Sequence, residues 1–240
     1  MTPEAILQPR AWLYAPRVLE PEIMDEAEEA EAYMDAAAQE HLAALDASWV
    51  ERVLAFGPRG AARVLDVGTG GGQIPGLVAA RRPAWRIWGV DRAGAMLAAG
   101  LDSLAGARGA ARRAARAFGL ALAQADARWL PFPDGAFDLV ISNSLLHHLA
   151  DPRPILDEIA RVAGERGRVL LRDLRRPPRW RHRLHVAWHG RRYRGTMRRL
   201  YEDSVSAAFT PAELAAILRH TGLAGARVRG AGPYLLVERG

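Results

Sequence analysis

The 240-residue chain contains no cysteine and no lysine. Without cysteine it has no disulfide, no thiolate metal site, no cysteine nucleophile and no iron–sulfur radical chemistry, and nothing marks its redox compartment. Without lysine, all 33 of its basic residues are arginine. Together with the many alanines, glycines and prolines, this reflects GC-rich coding and is given no functional meaning. The start, Met1 to Pro21, lacks the basic end and apolar core of a signal peptide and carries prolines and charges instead. No apolar run approaches the ~20 residues that cross a bilayer. A cytoplasmic protein without a membrane partner is therefore expected, and its length fits one domain with additions around a sizeable core.

Charge of one sign is scarce in each of two segments in turn. From Met1 to Asp46 there are 11 acids against 2 arginines, and from Arg172 to Arg199 there are 11 arginines against 1 acid. The two segments are complementary and are candidates to face each other.

The stretch from Ala62 to Pro75 organises the rest. An apolar strand, Val64 to Val67, carries Asp66 near its end and runs into a turn with glycines at 68, 70 and 72. Such a turn permits positive φ and close approach of a ligand. Ile74, Leu77 and Val78 then resume at helical spacing. A strand thus delivers its carboxyl end to a bare loop, with exposed N–H groups and a helix start behind it, which is a nucleotide-like site. The dinucleotide fingerprint requires glycine or alanine where Gln73 stands. Here the spacing is Asp-x-Gly-x-Gly-x-Gly.

Further strands come after it: Trp85 to Val90 ending at Asp91, Leu120 to Gln124 with Asp126-Ala127 beyond, Phe137 to Ser142 with Asn143 and Ser144 beyond, and Gly167 to Leu171. An acid about 20 residues beyond the glycines is placed to accept bonds from both ribose hydroxyls, or to cap the next helix. Gly94 to Gly119 reads as two helices with a kink at its glycines, Arg108, Arg112 and Arg116 lying one turn apart. Asp151-Pro152 opens another helix, and Thr210-Pro211-Ala212-Glu213 reads as a capping box. Gly225 to Arg229 and Pro233 to Glu238 form a closing antiparallel hairpin.

The glycine loop, together with the phrase Leu130 to Val140 and then Leu146-His147-His148-Leu149, resembles the class I S-adenosylmethionine-dependent methyltransferases, most closely the group that includes the ubiquinone and menaquinone C-methyltransferases. The resemblance runs from about Tyr33 to Glu238 and is weakest between Arg172 and Phe209. It implies an α/β fold: a Rossmann-like, doubly wound, seven-stranded and mostly parallel sheet with an antiparallel last strand and an N-terminal helical cap. Residues 1–57 are then extension and cap, and residues 58–240 are the methyltransferase domain with a basic insertion at 172–209. The implied cofactor is S-adenosyl-L-methionine. Its expected neighbours are Tyr33, Asp66, Gly68, Thr69, Gly70, Gly72, Asp91, Arg92, Asp126, Ala127, Asn143 and Ser144. In the family the acid at Asp91 binds the ribose and the one at Asp126 the adenine amino group; Tyr33 either covers the cofactor through its aromatic face or packs the cap.

No catalytic residue is as legible as the loop. His147, His148, His185 and Tyr193 are candidates, with His182, His189 and Asp173 as further proton acceptors. No metal is expected, because adjacent histidines on a helix diverge by ~100° and no carboxylate cluster accompanies them in sequence; one of the pair is expected to be buried and hydrogen-bonded. The tetrad Asn-Pro-Pro-aromatic of many amino-group methyltransferases is replaced by Asn143-Ser144-Leu145-Leu146. The expected partner is a small-molecule acceptor, with Arg175, Arg176, Arg191 and Arg192 offered to an anionic one. The other readings are an RNA methyltransferase, its insertion holding phosphates and stacking bases on Trp180, Trp188 and Tyr193, and a cofactor-binding protein without transfer activity. The sequence does not specify an oligomeric state.

Overall fold

A computed structural model describes residues 11–20, 40–106, 119–193 and 195–240. Seven strands form one sheet: β1 (Ala62–Val67), β2 (Trp85–Asp91), β3 (Leu120–Gln124), β4 (Leu139–Asn143), β5 (Arg168–Leu174), β6 (Arg227–Ala231) and β7 (Tyr234–Arg239). Their order is β3-β2-β1-β4-β5-β7-β6. Strands β1 to β5 pair in parallel, and β7 runs antiparallel to both β5 and β6, the expected architecture.

Successive residues of a strand point to opposite faces, and both faces here are covered, so the central strands are apolar throughout. Val64, Ile87, Leu139, Ile141 and Leu170 join Trp49 and Val53 of α1 (Glu40–Phe56) and Val78 of α2 (Gln73–Arg81). Leu65, Val67, Val140, Val169 and Leu171 meet Leu156 and Ile159 of α4 (Arg153–Ala163), with Leu214 and Leu218 of α7 (Pro211–Leu218). The latter helix opens with the expected capping box, Thr210 accepting from the Glu213 N–H while Glu213 accepts from that of Thr210.

Local departures from the sequence reading have physical causes. Strand β4 begins at Leu139, because Phe137 gives its N–H to the Val162 carbonyl at the end of α4 and places its ring edge-on to Trp88 and Phe132. Strand β5 continues to Leu174, because β7 supplies partners for Arg172, Asp173 and Leu174. Beyond β5 the chain forms a pair of helices, α5 (Arg179–His189) and α6 (Gly195–Ala207), joined through a 3-10 turn at Gly190–Arg192.

Helix α3 (Gly94–Gly106) runs through Gly100, one of the glycines at which the sequence pattern places a kink. A side chain there would place Cβ 2.0 Å from the Gly71 carbonyl oxygen. Glycine thus serves close packing of α3 on the loop, not an interruption. The helical reading of 22–39, including Tyr33, and the arginine stripe at 108, 112 and 116 lie outside the described residues.

Candidate active site

The strand order reverses between β1 and β4, so the loops leaving their carboxyl ends part and open a crevice. A cavity of about 480 Å³ occupies it, lined by Asp66, Gly68, Thr69, Gly70, Asp91, Arg92, Asp126, Ala127, Asn143 and Ser144 among others. Ten of the twelve expected cofactor neighbours are therefore brought together there. Gly72 sits behind the lining as the N-cap of α2, with φ 78°. Tyr33 lies outside the described residues.

The loop is tied to the second strand. The N–H groups of Gly68 and Thr69 both donate to the Val90 carbonyl, and that of Gly70 donates to Asp91 Oδ2 at 2.7 Å. Asp91 Oδ1 accepts the Ala93 N–H at 2.9 Å. The carboxylate thus caps the start of α3 and braces the loop while also facing the cavity.

Asp66 is buried at 2% exposure and accepts a bond from Thr69 Oγ1 at 2.7 Å through Oδ2, while Oδ1 has no partner among the described residues. Burial lifts its carboxyl to about 7; the Thr69 bond opposes that rise, and the charges of Asp91 and Asp46 add to it. Asp46 of α1, also on the cavity wall, is lifted to about 6 by burial, against the attraction of Arg172. Two desolvated carboxyls close to a bare backbone fit a cationic amino-acid group attached to a nucleoside. Asp46 escaped the sequence reading, since one acid within an acidic helical stretch carries no motif.

Asp126 is gripped by Arg128 at 2.6 Å, whose bonds hold its carboxyl down at about 2. Arg172 lies between the rings of Trp49 and Tyr234, 4.9 and 4.8 Å from their centroids, and donates to Asn143 Oδ1 at 2.7 Å. It thereby fixes Asn143 at the cavity wall. Next to it Ser144 adopts φ 59°, a conformation costly for a residue with Cβ and found at sites where the surroundings enforce it.

Beyond Ser144 the wall becomes mostly apolar, with Leu145, Leu149, Ala150, Pro154 and Ile155, and His148 and Asp151 stand among them. The two histidines share a 3-10 turn at Leu146–His148. His147 is buried, its Nδ1 2.6 Å from Asp173 Oδ1, while the Leu146 N–H donates to Asp173 Oδ2. Burial favours the neutral ring, yet Asp173 and Glu20 outweigh it and raise the His147 pKa above its ordinary value. Glu20 Oε2 lies 2.8 Å from His148 Nδ1 and 4.0 Å from His147 Nε2. Burial raises the Glu20 carboxyl, but the neighbouring His148 and the bond from Ser204 prevail and keep it below the usual range.

Folding therefore supplies the carboxylates that the histidine pair lacks in sequence, since Glu20 and Asp173 accompany it in space. Arg17 brings Glu20 there. Its guanidinium stacks 4.0 Å over Phe209 and donates to the carbonyls of His147 and Leu149 at 2.8 and 2.7 Å. The ligand atoms of Glu20, His147 and His148 lie within 4.8 Å of one another; as placed, Glu20 and His148 form a close carboxylate–histidine dyad at 2.8 Å, without the geometry of a hydrogen bond.

The other catalytic candidates stand elsewhere. His185 lies 3.4 Å from the Tyr201 hydroxyl and is lowered to about 4 by burial, with His189, His182 and nearby arginines adding to the effect. Tyr193 packs on the Tyr201 ring with centroids 5.1 Å apart. Neither lines the cavity. Nor do Arg175, Arg176 and Arg191 of the arginines offered to an anionic acceptor: Arg176 is buried against Glu213, and Arg191 lies 4.1 Å over the Trp188 ring.

Crevice, glycine loop and strand-end acids define a nucleoside-cofactor enzyme of the doubly wound class. Comparison with known proteins agrees: residues 65–171 match a family described as "Methyltransferase domain". That stretch is under half of the chain, and it is similar to S-adenosylmethionine-dependent methyltransferases. Among curated relatives, the demethylmenaquinone methyltransferase of Thermus thermophilus is 37% identical over 118 residues, covering 48% of this chain and 49% of that protein. The malonyl-[acyl-carrier protein] O-methyltransferase of Laribacter hongkongensis is 37% identical over 47% of this chain and 37% of that protein. The chain thus spans half or less of these relatives' own length. An S-adenosylmethionine-dependent methyltransferase structure from Aquifex aeolicus superposes with a TM-score of 0.60 at 18% identity, covering 89% of this chain and 97% of that one, and shares its fold.

Proposed function

We propose that the protein transfers a methyl group from S-adenosylmethionine to a small, largely apolar acceptor bearing one ionisable O–H or C–H, and that His148 takes the proton. The bound cofactor supplies an electrophilic methyl on a sulfonium. The chain's own residues hold, orient and deprotonate. Asp66 and Asp46 would receive the cofactor's ammonium, Asp91 its ribose, and Asp126 with the Ala127 N–H its adenine. Asn143, fixed by Arg172, closes the crevice toward the acceptor.

The observation that carries this reading is the Glu20–His148 dyad at the apolar end of the cofactor cavity. A carboxylate 2.8 Å from Nδ1 favours the proton on that nitrogen, which leaves the accepting lone pair on Nε2. His147 is buried, engaged through Nδ1 by Asp173 and absent from the cavity lining, so it flanks Glu20 and does not meet the acceptor. The apolar wall excludes water, which favours transfer to the acceptor over hydrolysis. It also supports a neutral acceptor rather than an anionic one, since the insertion's described arginines are absent from the lining.

Incubation with methyl-labelled cofactor and a metabolite extract, followed by mass identification of labelled products, tests the proposal. A labelled small molecule with one acidic hydroxyl or carbon is expected. Label in RNA alone, or tight cofactor binding with no labelled product, contradicts it.

A further inference from the structure

Helix α5 packs the wrong way round for a surface helix. Val186 and the histidines at 182, 185 and 189 turn inward, with His185 against Tyr201 of α6. Trp180, Leu184 and Trp188 turn outward and are 74, 67 and 62% exposed. Their spacing of four residues lines them along one side of the helix, where neighbours four apart are about one turn distant. An amphipathic surface helix ordinarily buries such a stripe and exposes its polar residues.

The arginines complete the pattern. On a helical projection Arg181 lies on one flank of the stripe, and Arg179 and Arg183 lie on the other, all three exposed. Arg181 lies 5.2 Å over the Trp180 ring, and Arg191 covers Trp188. No acid stands between Leu174 and Arg199 in the sequence. Exposed indoles with an aliphatic residue between them and cationic heads on both flanks suit the boundary between lipid headgroups and acyl chains, where rings sit at the interface and arginines meet anionic phosphates.

We propose that the outward face of α5 docks the protein on an anionic lipid bilayer surface, with Trp180, Leu184 and Trp188 entering the interface and Arg179, Arg181 and Arg183 meeting headgroup phosphates. The absence of a spanning helix among the described residues concerns crossing a membrane, not lying on one. RNA is the other polyanion this face could meet. Leu184 at the centre of the stripe favours hydrocarbon, since it offers a base no aromatic surface on which to stack. The docking does not depend on the identity of the methyl acceptor.

Co-sedimentation with vesicles of mixed phosphatidylglycerol and phosphatidylcholine, with tryptophan emission as a second readout, tests this. Binding with a blue shift is expected on the mixed vesicles, and much weaker binding on phosphatidylcholine alone. The triple variant Trp180→Ser, Leu184→Ser, Trp188→Ser should bind at least about tenfold more weakly with an unchanged melting temperature, because the three side chains face outward. Replacing Arg179, Arg181 and Arg183 by Gln should weaken binding roughly fivefold per arginine and flatten its dependence on salt. Wild-type protein that ignores both vesicle types overturns the proposal. So does a triple variant that binds as the wild type does, or a wild type that binds random RNA but no vesicle.

Discussion

The raised carboxyls of Asp66 and Asp46 make cofactor affinity depend on pH in a direction that can be worked out in advance. Free protein holds protons on these groups up to about 7 and about 6. An ammonium placed against them favours the ionised forms, so binding expels those protons and affinity increases as pH rises through this window. At pH ~6 a carboxyl with pKa ~7 is about one-tenth ionised and one with pKa ~6 about half; at pH ~7.5 both are mostly ionised. The dissociation constant should therefore fall roughly fifteenfold between these pH values, about 1.6 kcal/mol. An ordinary α-amino group remains mostly protonated below about pH 7.7, so the cofactor's own titration does not produce this trend.

Calorimetry in two buffers of different ionisation enthalpy measures both the affinity and the protons released. Asp66→Asn should remove most of the pH dependence, and Asp46→Asn a smaller part. The free fold shows the linked effect. A carboxyl whose pKa is raised on folding contributes stability that is complete below its unfolded pKa, about 3.9, and lost as pH rises through about 7. The melting temperature of cofactor-free Asp66→Asn should consequently fall less between pH ~5 and ~8 than that of the wild type. A wild-type affinity that is flat across the window refutes the ammonium assignment.

The geometry sets three other outcomes. Asp91→Ala should weaken cofactor binding by about tenfold or more by calorimetry and also lower the melting temperature, because one carboxylate faces the cavity and accepts from Gly70 and Ala93. Gly100→Ala should cost about 1–3 kcal/mol in denaturant titration and weaken cofactor binding with it, since the new Cβ would force α3 away from the loop at Gly71. His148→Gln should lower kcat by roughly 10²- to 10⁴-fold with cofactor affinity nearly unchanged. Glu20→Gln should do the same to a smaller extent, and a kcat unchanged in both variants removes the dyad from catalysis.

The cofactor half of the site is legible in sequence because it is local. Asp66, the glycines and Asp91 lie at strand ends and in short turns, and their spacing carries the chemistry. The acceptor half is not, because its parts come from distant segments. Glu20 reaches His148 because Arg17 pins its segment under the turn and α6 holds it through Ser204 and Ser206, and no short-range pattern marks Glu20 or Arg17. Asp46 reads as one acid in an acidic stretch until α1 covers the crevice and removes it from water. Arg172 looks like the first member of a basic insertion, yet β5 continues through it and commits it to Asn143. Trp180, Leu184 and Trp188 stand four apart in sequence as well. Which way that stripe faces is set by the packing of α5 on α6, which no periodicity contains.

The measurement that tests the central claim most directly is calorimetric titration of the wild-type protein with S-adenosylmethionine in the presence and absence of NAD. Binding in the micromolar range, about −8 kcal/mol, unaffected by NAD and weakened in Asp91→Ala, is the predicted result. Binding of NAD that displaces S-adenosylmethionine, or no binding of either, would contradict the assignment of the crevice.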